Sequence, residues 1–240
     1  MRGLVLSSCI LVGASFLGAQ AQESAKLDTV TVTASRIDNG DMQTAPAVFR
    51  HVRADFVLVE VNCQSASRDP GARKTELETM FSRLKKAVSS TSGYELFGGE
   101  LGLTNAPINT VLFDDIYADY SSQGHFTLTL SIDTKPDETF DVLMRRAAAF
   151  LEGIKIEGRS EAYLGEEQFL GARGTDKHRA ELISDIRMEA SALQQTFAPA
   201  IVTVSGLESR VVTQPSGPLE LEIFIPYMMS VESRPLGGPA

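Results

Sequence analysis

Apolar and polar positions along this chain alternate between two rhythms. From Ala54 to Cys63 the run is rich in valine and too short and too apolar for a surface helix. Val57, Val59, Val61 and Cys63 share one face of it, so it reads as a strand. Asp69-Pro70-Gly71 then supplies helix-start chemistry, an acid at the cap and proline at the first helical position. Leu77, Met80, Phe81, Leu84 and Val88 follow at three- and four-residue spacing, one buried stripe that Gly93 ends. Tyr94 to Leu103 reads as a short strand interrupted by Gly98 and Gly99, and residues 104–123 are polar without a clear period. Gly124 to Asp133 alternates as a second strand.

A second helix is expected from Pro136-Asp137-Glu138, with Phe140, Leu143, Met144, Ala147, Phe150 and Leu151 on one face and Gly153 as its stop. A strand across Ser160 to Leu170 precedes what should be the longest helix, starting at Thr175. Its stripe is Leu182, Ile183, Ile186, Ala190, Leu193 and Phe197, and Pro199 marks the exit. Two strands, Ala200 to Ser205 and Leu219 to Met229, close the chain around a turn at Pro215 to Pro218. Three amphipathic helices segregated from antiparallel-type strands predict an α+β fold, not a doubly wound nucleotide fold.

The first residues follow a different logic. Arg2 and the amino terminus give a positive start, Leu4 to Leu17 is mostly apolar, and Ala19-Gln20-Ala21 offers small residues for cleavage, so residues 1–21 read as a signal peptide and Gln22 as the mature start. The run is too short for a spanning helix and is broken by Gly13, Ser15 and Gly18. Leu6-Ser7-Ser8-Cys9 has the outline of a lipidation box, yet too few residues precede it, and Cys9 is read as part of the signal. Residues 22–47 form a polar linker, 48–232 the folded domain and 233–240 a frayed tail. Inside the linker, Thr29-Val30-Thr31-Val32-Thr33 is a β-branched alternation suited to adding onto the edge of another sheet.

Charge narrows the partners. The formal net charge is −9, and removing residues 1–21 takes away Arg2 and no acid, which argues against nucleic acid. Of the two cysteines only Cys63 remains in the mature chain, so no intramolecular disulfide can form, and its phase with the valines marks it as a small core residue. His51, His125 and His178 are dispersed over different contexts and do not read as a metal site. Asp114, Asp115 and Asp119 form the densest acidic group, oxygen-rich enough to suggest Ca²⁺ but without the EF-hand spacing; a solvated loop explains them more simply. Glu166 and Glu167 are strand neighbours that point to opposite faces, and Ser205-Gly206 lacks the flanks of a nucleophile elbow. No catalytic residue, metal or cofactor is expected.

The signal peptide, the strand Ala54 to Val61, the amphipathic helix after it, the late long helix and the ending Ile201 to Leu207 followed by Leu221 to Met229 together resemble the SIMPL-domain family of exported bacterial proteins. That resemblance implies a periplasmic or envelope-associated α+β domain over about residues 48–232. It further implies a domain that self-associates, with a link to stress protection and no catalytic residues to carry over. Leu27 to Arg36 is similar to the TonB-box region of outer-membrane receptors, which implies partner-binding through Asp28, Thr29, Val30, Thr31, Val32 and Thr33. The expected function is therefore a non-enzymatic periplasmic protein acting through homo-oligomers or an envelope partner. The alternatives are a TonB-linked accessory docking through residues 27–36, or a metal-dependent hydrolase built on Asp114, Asp115 and His125.

Overall fold

The computed structural model describes residues 46–99, 101, 106–120 and 122–233 of the chain. The expected signal peptide, the segment from Asp28 to Thr33 and residues 234–240 lie outside the described residues. The elements run in the order β1 (Arg50–Arg53), β2 (Phe56–Ser65), α1 (Pro70–Ser90), β3 (Tyr94–Gly98), β4 (Ala106–Pro107), α2 (Phe113–Ile116), β5 (Ala118–Tyr120), β6 (Gln123–Asp133) and α3 (Phe140–Glu152). They continue with β7 (Ser160–Gly171), α4 (Arg179–Thr196), β8 (Ala200–Ser205), β9 (Val212–Gly217), β10 (Glu220–Phe224) and β11 (Met228–Ser233). Short 3₁₀ turns precede α2 and α4. Every strand pairing among the described residues is antiparallel, and the class is α+β.

The main sheet has the order β4-β3-β6-β2-β7, with β5 added to β6. Its central strands turn Val57, Val59, Val61 and Cys63 of β2 and Phe126, Leu128, Leu130 and Ile132 of β6 towards α1 and α3. There they meet Leu77, Met80, Leu84, Leu143, Ala147 and Leu151 in one continuous core. Helix α1 starts as expected, with the Asp69 carboxylate accepting from the Ala72 N–H at 2.7 Å. A second core joins Leu182 and Ile186 of α4 to Val211, Ile223 and Ile225, beside the three-stranded sheet β1-β10-β9. β8 and β11 form a separate two-stranded ribbon over α4. No helix among the described residues is long and apolar enough to cross a membrane.

Several expectations are corrected. Strand β1 precedes Ala54 and has one core-facing apolar residue, Val52; its identity comes from pairing with β10, from Arg50 opposite Ile223 to Arg53 opposite Glu220. Helix α3 starts after the Thr139 cap and not at Pro136, because residues 135–138 close a turn with Asp137 at φ 59°. Helix α4 is not the longest: α1 has 21 residues against its 18, since the stretch from Thr175 begins as a 3₁₀ turn. The far end of its stripe is not buried either, Phe197 being 55% exposed.

The C-terminal expectation of two strands becomes four. Pro215 lies inside β9 opposite Leu221, tolerated because β9 is a sheet edge, and the tight turn is at Pro218-Leu219. The single strand expected across Leu219 to Met229 breaks at Ile225–Tyr227, where the chain leaves one sheet for another.

Candidate functional site

Strand β2 changes character on the face turned away from α1 and α3. Phe56 and Leu58 are buried there against Leu101 and Phe169, but the next residues on that face are Glu60, Asn62 and Gln64. Directly opposed residues in an antiparallel sheet share a face. The register therefore sets a polar lattice in rows across β6, β2 and β7: Thr127, Asn62 and Tyr163 in one, and His125, Gln64 and Glu161 in the next. Thr129 and Glu60 begin the third row, and Gly165 lies at its β7 end.

Hydrogen bonds order this lattice. Thr127 Oγ1 donates to Asn62 Oδ1 at 2.8 Å, and Asn62 Nδ2 donates to Glu60 Oε2 at 3.1 Å. The amide of Asn62 is thus used at both ends and holds the Glu60 carboxylate in place. A Cβ at Gly165 would stand 2.8 Å from that same Oε2, so glycine is what lets Glu60 lie across β7. Gln64 Nε2 donates to Glu161, and Tyr120 stacks on His125 with centroids 5.0 Å apart and planes at 19°.

Two grooves open on this face and meet at His125. One, of about 540 Å³, is bordered by Asn62, Gln64, Tyr120, Gln123, His125 and Tyr163; the other, of about 320 Å³, by Glu60, Gly99, Ile116, His125 and Thr127. Among the described residues, neither has a lysine or arginine in its wall. Cys63 borders the larger groove through its strand, but its residue packs in the helix-side core, where burial pushes the thiol up to about 12. A thiol held neutral in this way is neither nucleophile nor metal ligand.

Thr129 is fully buried, and its Oγ1 has no hydrogen-bond partner among the described residues. Thr129→Val is expected to raise stability by about 1 kcal/mol, the cost of a buried unsatisfied hydroxyl. Urea denaturation of the variant checks this, and a loss of stability would reveal a partner for that hydroxyl.

The structure separates the residues that the sequence groups as acids. Asp119 accepts from Arg73 Nε at 3.1 Å and from Arg73 Nη2 at 2.8 and 2.9 Å, while Asp114 pairs with Lys74 Nζ at 2.7 Å. Asp115 is exposed beside Gly98 and Ile116. Among the described residues no three His, Cys, Asp or Glu side chains gather as metal ligands. His51 faces Phe49 edge-on and Ser216, His178 sits 3.8 Å from Glu181, and His125 is in the grooves, so the three histidines occupy separate places. Glu166 and Glu167 are both exposed at the β7 bulge. Sequence reasoning passed over Glu60, Asn62 and Gln64, although their alternation after Leu58 carried the signal of a polar face on a central strand.

No family model matches the chain, and no curated protein matches it. Among solved structures, an amidase of the hydantoinase/carbamoylase family from Burkholderia phymatum is similar at 12% identity and a TM-score of 0.30. The match covers 56% of this chain and 35% of that one, and likeness at this level carries no argument.

Proposed function

We propose that this is a non-enzymatic, exported envelope protein of the SIMPL-like type, resident in the periplasm, that acts by self-association. The observation that carries the reading is the β8–β11 ribbon. Its six residue pairs run from Met228 opposite Ser205 to Ser233 opposite Ala200, and among the described residues neither strand pairs with any other. A two-stranded ribbon is marginal by itself, and open strand edges are templates for pairing with another chain. One face of the ribbon packs Val204 and Met229 beside α4, while Ile201 and Met228 on the other are 40% and 76% exposed. A second copy joined edge to edge would satisfy the free backbone groups of the strand it joins and set its own side chains beside this exposed face. The expected signal peptide supplies the address.

The test is the solution mass of the mature chain, residues 22–240, measured by light scattering alongside an Ile201→Lys/Met228→Lys variant. A discrete oligomer that falls to a monomer in the variant supports the reading. A monomeric parent, or an oligomer that the two lysines leave intact, overturns it.

A further inference from the structure

We infer that the polar face of the main sheet is a binding site for a linear aliphatic polyamine, with Glu60 as its principal anchor. The inference is independent of self-association through the ribbon and stands on the grooves described above. Several other carboxylates of the domain are met by arginine, among them Asp119 by Arg73, Glu138 by Arg146, Glu157 by Arg83, Asp133 by Arg173 and Asp185 by Arg50, and the half-buried Glu76 by the hydroxyls of Ser65 and Ser67. Glu60 is half-buried, and its side chain is fixed by Asn62 and by the absence of a side chain at Gly165. It has no ion-pair partner among the described residues. A carboxylate positioned so firmly in a concave, partly desolvated place is set for a cation from outside, because charge-assisted bonds strengthen as water is withdrawn.

The rest of the lattice indicates what kind of cation. Glu161 also lacks an ion pair among the described residues and receives a hydrogen bond from Gln64 Nε2. It lies opposite Gln64, and Gln64 is about 14 Å along β2 from Glu60 by strand rise. Glu60 in the wall of the smaller groove and Glu161, tied to Gln64 beside the larger one, match a ligand with positive charges at both ends. Between them stand Tyr163 and the stacked Tyr120–His125 pair, whose ring faces pack methylenes and attract ammonium groups. Acceptors on Gln64 and Gln123 are available to further N–H donors, and walls without lysine or arginine among the described residues disfavour anions. A neutral sugar would leave both carboxylates without a counter-charge.

The experiment is calorimetric titration of the mature chain with spermidine at neutral pH and moderate salt, with 1-aminobutane and the neutral disaccharide chitobiose as comparison ligands. Saturable 1:1 binding of spermidine is expected, with the monoamine weaker by about tenfold or more, as loss of a second charge-assisted contact implies. Glu60→Gln, which keeps the side chain's shape, should weaken spermidine by about tenfold or more. Tyr163→Ala, at an exposed position, should weaken it several-fold and serves if Glu60→Gln fails to fold. Glu208→Gln removes an exposed acid elsewhere and should change nothing. Absence of saturable spermidine binding, equal losses in Glu60→Gln and Glu208→Gln, or chitobiose binding that displaces spermidine would each overturn the proposal.

Discussion

An Arg73→Met variant is expected to lose about 3 kcal/mol of stability, the cost of leaving two carbonyls unmet together with a broken, part-exposed ion pair. Arg73 is 3% exposed in the first turn of α1, and all its donor nitrogens are engaged. Nε and Nη2 grip both oxygens of Asp119, and Nη1 donates to the carbonyls of Ser67 at 2.9 Å and Arg68 at 3.3 Å. Methionine fills much of the space but leaves those carbonyls unmet and leaves Asp119, whose side chain is 26% exposed, with only the Tyr117 hydroxyl at 3.2 Å. Strand β5 would lose its tie to α1. Urea denaturation measures the loss, and adding Asp119→Leu to Arg73→Met should change it by less than about 1 kcal/mol, because the unmet carbonyls remain and Asp119 is solvated. Equal stability of Arg73→Met and the parent would show that the pair contributes nothing.

Glu138→Gln should cost about 3 kcal/mol at neutral pH, and the cost should be pH-dependent. Hydrogen bonds from Arg146, at 3.0 and 2.9 Å, hold the Glu138 carboxyl below the usual carboxylate range, helped by the Lys135 N–H and opposed by burial. The folded protein therefore gives up this proton more readily than the unfolded chain does. The stabilisation is fully present above the unfolded value of about 4.3 and is lost as pH falls through the lower folded value. Stability curves of parent and variant should run parallel above that pH and converge below it. Convergence on the alkaline side instead would contradict this assignment. The same Arg146 also donates to the Asp133 carbonyl at 2.7 Å and lies over the Tyr94 ring, so the variant should loosen the start of α3 and the end of β6 together.

Long amphipathic elements were legible in the sequence because one residue type repeated at one spacing. The stripe of α1 and the valine face of β2 are buried as read, and Cys63 lies in the core that its phase predicted. Short elements were not legible, since β4, α2 and β5 have two to four residues each and no period can be counted over so few. β1 depends on a partner far along the chain, which no local pattern reports. The break at Ile225–Tyr227 escaped for another reason: both flanking strands are apolar, so the change of sheet leaves the hydrophobic run unbroken. The acidic group around Asp114 reads in sequence as a solvated loop, and proximity there said nothing of Lys74 and Arg73, which claim two of its members from a neighbouring helix. Glu60 shows the converse: its anchor Asn62 is two residues away, but Thr127, which fixes Asn62, and Gly165, which leaves room for the carboxylate, come from two other strands.

The pairing of β1 with β10 bears on the order in which the molecule can assemble. Arg50 meets Ile223 across about 170 residues of chain, so this contact closes one of the longest loops the domain contains. β1 is the first described strand to be synthesised and among the last to find its place. Until β10 is made, Val52 and the apolar side of α4 have no three-stranded sheet to cover them, while β2, α1 and β6 can already collapse on one another. Folding should therefore be biphasic and slow in its second phase, with the main sheet protected from hydrogen exchange before the second core exists.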